Sequence, residues 1–164
     1  MATPTYVALQ TITVSSNASD ITFSNIPNTY RDLVLVAQCK STASAYDQAI
    51  EFNGDASSSG NYDCRILWGN FSNASNSAGS SNLIDYYGSV STDFTNVTVV
   101  HIAEYSANDK STFWISRSNR QANGVDIITG KWAPTTVVTS IRYYLNGGGT
   151  IAIGSTVSLY GIEA

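Results

Sequence analysis

Ser155-Thr156-Val157-Ser158-Leu159-Tyr160-Gly161-Ile162 decides the fold. Val157 and Leu159 fall on one face of an extended chain and Ser158 and Tyr160 on the other, the period-two pattern of a strand with one buried side. Free tails are short of apolar residues, so a last segment that alternates this cleanly is expected to dock inside a sheet. Upstream, across Asn146-Gly147-Gly148-Gly149, lies Ile141-Arg142-Tyr143-Tyr144-Leu145, where Ile141, Tyr143 and Leu145 share a face.

The same reading extends toward the start of the chain. Strands are expected over 6–14, 21–23, 33–39, 48–53, 62–68, 84–87, 97–105, 112–116 and 125–132. Leu33-Val34-Leu35-Val36-Ala37-Gln38-Cys39 is apolar on both faces and reads as a central strand covered on both sides. Asn, Ser, Gly and Pro punctuate the gaps, as in Asn25-Ile26-Pro27-Asn28. Gly69 to Ser81, rich in Asn, Ser, Ala and Gly, reads as an exposed loop. No helical stripe of ten residues occurs. The expected fold is all-β: an antiparallel β-sandwich of about ten strands, with no substantial helix and one domain over residues 1–164.

Composition narrows the function. The chain has 164 residues, 43% hydrophobic and only 12% charged, about half the usual charged share. Ser, Thr and Asn make up about a third, so the polar surface is mostly neutral. A net charge of -4 with eight scattered basic residues argues against a nucleic-acid partner. No run approaches the length of a membrane helix, and Met1-Ala2-Thr3-Pro4-Thr5 lacks the basic and apolar regions of a signal peptide. A chain held in a cytoplasm until assembly is the expectation. Cys39 and Cys64 both sit within apolar alternation and read as buried free thiols.

Candidate chemistry is sparse. His101, the one histidine, lies mid-strand without a nucleophile-elbow motif elsewhere, and reads as structural. Glu51, Asp55 and Asp63 flank one expected hairpin, where a calcium ion or the carboxylate pair of a surface-polysaccharide hydrolase is conceivable, but Glu51 points away from the face of Phe52 and the other two sit at loop ends, where acids cap turns. Four Asn-x-Ser/Thr matches carry little weight in so Asn-rich a chain. No catalytic residue, metal ligand or cofactor is assigned. Aromatic residues exceed what one small core easily hides, and Tyr62, Trp68, Phe71, Tyr86 and Tyr87 are taken as candidates for a subunit interface or a sugar-stacking surface.

Three passages together resemble a family of small β-sandwich structural proteins of tailed bacteriophages. They are Ile26 to Leu35 (IPNTYRDLVL), then Phe52-Asn53-Gly54-Asp55 with Asn61-Tyr62 and Arg65-x-Leu67-x-Gly69, and lastly Trp132 with Thr139-Ser140-Ile141 and Ser158-Leu159-Tyr160-Gly161-Ile162. The resemblance implies a jelly-roll-like sandwich, often trimeric, that decorates and cements a capsid or sits in a tail fibre or spike. Its expected partners are itself, as a homotrimer, and the major capsid protein. The alternative is a tail-fibre head that binds a host surface glycan. The expected location is the virion, assembled in the host cytoplasm, and the implied role is structural rather than enzymatic.

Overall fold

A computed structural model describes residues 5–43, 46–70, 72–79, 81–86, 90–120 and 124–163. Eleven strands follow one another: β1 (Tyr6–Thr13), β2 (Asp20–Phe23), β3 (Asp32–Cys39), β4 (Gln48–Phe52), β5 (Tyr62–Asn70), β6 (Ala74–Gly79), β7 (Asn96–Ala103), β8 (Thr112–Arg120), β9 (Gly124–Trp132), β10 (Ile141–Leu145) and β11 (Thr156–Ile162). The one helical element among the described residues is a single turn at Ser57–Ser59. Eight strands form one antiparallel sheet in the order β1-β11-β3-β7-β8-β9-β5-β6, and β2-β10-β4 form a second. The fold is an all-β sandwich.

The closing strand sits as its alternation requires. β11 lies between β1 and β3, with Val157 and Leu159 buried toward the second layer and Ser158 and Tyr160 outward. Both thiols are free and buried, and burial pushes the Cys39 thiol up to about 11. Two expectations need correction. Ala74–Gly79, expected in a loop, is β6, an edge strand held by its backbone ladder to β5. Residues 84–87, expected as a strand, contribute none among those described: Leu83 makes one bridge to Ala49, the Ile84 amide still donates to the Gln48 carbonyl at 2.9 Å, and the chain bends at 84 and 85. Of the two edges of the large sheet, β1 carries a register shift between Ala8 and Gln10, which blunts it against edge-to-edge pairing.

An aromatic cluster ties the layers together. Phe52 lies 5.9 Å from Trp114, 5.5 Å from Trp132 and 6.3 Å from Tyr62 between ring centres. Such contacts add to the stabilisation from burial alone.

The passages that carry the family resemblance meet in space. Asn53 has φ +54 and Gly54 φ +72, so the turn after β4 needs residues that tolerate the left-handed region. Asn53 Oδ1 accepts from the amides of Thr139 (2.8 Å) and Ser140 (3.1 Å), and its Nδ2 donates to the Val137 carbonyl (2.8 Å). Asp55 accepts from Trp132 Nε1 at 2.6 Å and Asn61 Nδ2 at 2.9 Å. A Cβ on Gly161 would overlap the Tyr30 ring, which lies against that backbone. These residues are framework: they fix turns and seat backbone segments against one another. Asn53→Ala removes four hydrogen bonds, one of them from the Thr139 hydroxyl, and strains φ, with an expected loss of about 2 kcal/mol in chemical denaturation; Asn53→Gly should recover only the backbone part.

One polar cluster is sealed between the layers. Thr98, Ser118 and Asp126 pair across β7, β8 and β9 on the inner face of the large sheet and are buried. Asp85 meets them from the 82–86 segment, accepting from Ser118 Oγ at 2.7 Å and Gln48 Nε2 at 2.6 Å. Gln48 also donates to Thr98 Oγ1 (2.7 Å) and accepts from Tyr143 OH (2.8 Å). The amide of Tyr86 donates to both Asp85 and Asp126. This network bolts the 82–86 segment into the sandwich.

Candidate assembly surface

The inner face of the large sheet is covered by the small one; its outer face has no second layer among the described residues. Along β8 the inward residues Trp114, Ser116 and Ser118 are buried, which turns Phe113, Ile115 and Arg117 outward. On β9, Ile128 and Trp132 face the core, so Val125, Ile127, Thr129 and Lys131 face out. Val97 on β7 and Leu67 on β5 share that outer face. The exposures decide its character: Val125 is 62% exposed, Leu67 58%, Ile127 46%, Phe113 45%, Val97 42% and Ile115 40%.

Register makes these one surface. Leu67 pairs with Ile127, Ile127 with Arg117, and Arg117 with Val99. One row inward, His101 pairs with Val34 on one side and Ile115 on the other. Five strands at about 4.8 Å spacing and eight residues at about 3.4 Å each span about 24 by 27 Å, on the order of 650 Å² in projection. Stable interfaces bury about 800 Å² per partner, so the face is of the size that one partner buries.

Of the five aromatic residues expected at an interface, Tyr62, Trp68 and Tyr86 are described. Tyr62 is 1% exposed, its hydroxyl donating to the Asp55 carbonyl and accepting from the Phe52 amide, both at 2.9 Å. It is a core residue, because a tyrosine whose hydroxyl finds partners inside can be buried whole. Trp68 and Tyr86 are half-buried and pack against the core cluster. Phe71 and Tyr87 lie outside the described residues. The exposed aliphatic face was missed, although the inward phase of Trp132 and Ile128 already turns Ile127 and Val125 outward.

The polar candidates each have a structural partner. His101 Nε2 lies 3.1 Å from Asp32 Oδ2, which also pairs with Arg31 at 3.0 Å. Glu51 bonds Arg142 at 3.0 Å, and Arg142 also reaches Asp20 at 3.3 Å and lies over the Tyr144 ring. Asp63 pairs with Arg65 at 2.6 Å. Desolvation would raise the Asp55 carboxyl, but hydrogen bonds from Trp132, Asn61 and Ser59 hold it below its ordinary value. Among the described residues no three metal-binding side chains converge. No protein-family model matches the chain, and no match is found among curated proteins.

Proposed function

We propose that this chain is a structural component of a tailed-bacteriophage virion, a jelly-roll-like decoration or cement protein. In this reading it assembles in the host cytoplasm, forms a homotrimer, and lays the outer face of its large sheet against major capsid subunits that it bridges. One observation carries the assembly role: an outer face on which six large apolar side chains stand exposed among its polar and charged ones, and which no layer covers among the described residues. Left in water, such a face is an aggregation hazard; a permanent neighbour removes it. The low charge content agrees with this, since permanent contacts shed charge from their centres. The three framework passages supply the phage context, by resemblance.

Quantitative mass spectrometry of purified virions tests the reading. Copies of the same order as the major capsid protein are expected. Copies at the level of tail components would overturn the cement role and favour a tail-fibre head that binds a host glycan. Absence from the particle would overturn the virion assignment altogether.

A further inference from the structure

The outer face of the large sheet is the basic face of an acidic chain. The chain carries a net charge of -4, yet Arg65, Arg117 and Lys131 all project from this face. Its exposed acid, Asp63, is engaged by Arg65 at 2.6 Å. Arg117 and Lys131 have no ion pair or side-chain hydrogen bond among the described residues; Arg117 sits between the apolar Val99 and Ile127, and Lys131 between Phe113 and the Arg65-engaged Asp63. Beside Arg117 the face dips into a hollow of about 250 Å³ lined by Val34, Val99, Ile115 and Ile127, with Tyr6 and His101 also on its wall.

Covering this face takes Arg117 and Lys131 out of water. Desolvated charges are costly unless the partner supplies opposite ones. Two copies of the same face would bring like charges on neighbouring strands together. We infer that the face docks onto a neighbouring protein subunit whose surface is acidic as well as apolar, and that Arg117 with the adjoining hollow receives one of its carboxylates. The inference rests on the assembly reading above and adds the chemistry of the partner.

Shells assembled without this chain, incubated with the purified protein and sedimented, provide the test. Bound wild-type protein should fall tenfold or more between about 50 mM and about 500 mM NaCl, over which screening shortens several-fold. The double variant Arg117→Glu, Lys131→Glu should bind at least tenfold less at the lower salt, while melting at the temperature of the wild type. Wild-type binding that ignores both salt and the charge reversals overturns the acidic partner and leaves the shell role standing. Failure of the wild type to bind at either salt overturns both. Two further outcomes also overturn the inference: wild-type dimers in sedimentation velocity that the charge reversals abolish, and retention on vesicles of phosphatidylcholine and phosphatidylglycerol but not on shells.

Discussion

Replacing Gly130 with alanine is expected to cost about 3 kcal/mol, at the upper end of overpacking effects, or to prevent folding. Gly130 lies on β9, directly paired with Trp114 on β8 and Cys64 on β5. A Cβ there would overlap the six-membered part of the Trp114 indole. The ring has nowhere to go: Trp114 is fully buried, Phe52 and Tyr62 stand 5.9 and 6.2 Å from it, and its Nε1 donates to the Leu83 carbonyl at 3.3 Å. Relief requires either parting β8 from β9 or pushing the 82–86 segment off β4. Urea denaturation of Gly130→Ala beside Thr129→Ala, an outward-facing control on the same strand, checks this. A loss under about 1 kcal/mol for Gly130→Ala would mean that the indole is free to move.

Stability should fall as pH rises, the reverse of ordinary acid denaturation. Burial first, then the hydrogen bond and charge of Asp126, hold the Asp85 carboxyl well above its ordinary 3.8, although Ser118 and Gln48 pull it down. The groups around it come from every packed element: Asp126 on β9, Ser118 on β8, Gln48 on β4, and Tyr143 on β10, reached through Gln48. An acid raised in the native state contributes fully below its unfolded value and loses that contribution as pH climbs through its native value. The unfolded chain has by then released the proton that the core still holds. The slope is at most about 1.4 kcal/mol per pH unit. Asp85→Asn keeps the shape without the charge and should flatten the profile between about pH 5 and 8. Thermal melts of both proteins across that range give the answer. A wild type whose stability rises with pH, or a variant that keeps the wild-type slope, would remove Asp85 as the cause.

Much of the architecture was legible because burial imposes phase. The alternation of Val157 and Leu159 placed the last strand inside a sheet, and β11 lies between two neighbours. Leu33 to Cys39 read as central because both alternations are apolar, and β3 is interior to the large sheet; its outer side is shielded only in part, with Val34 buried, Val36 half-buried and Gln38 exposed. β6 was illegible: Ala74-Ser75-Asn76-Ser77-Ala78-Gly79 has turn-forming chemistry, and its extended form comes from the ladder to β5 rather than from its own side chains. Tyr62 was misplaced because the partners that satisfy its hydroxyl, at Phe52 and Asp55, are properties of the fold. In Val125-Asp126-Ile127-Ile128, polarity suggests Asp126 outward and Ile127 inward, but the phase set by Ile128 and Trp132 reverses both. Asp85, forty-one residues away in the 82–86 segment, and the Tyr86 amide beside it explain how a carboxylate tolerates that side. The outer face emerged from the same reversal.

The most direct measurement of the central claim is incorporation of Ile127→Asp into virions, made in parallel with a thermal melt of the purified variant. Ile127 is 46% exposed at the centre of the outer face, so the melt should stay within about 1 kcal/mol of the wild type. Incorporation should fall at least tenfold, because the new carboxylate removes an apolar contact at the centre of the face and engages Arg117, its cross-strand neighbour, in place of the partner. Wild-type incorporation of this variant would mean that the outer face stays in water in the particle and that assembly runs through another surface.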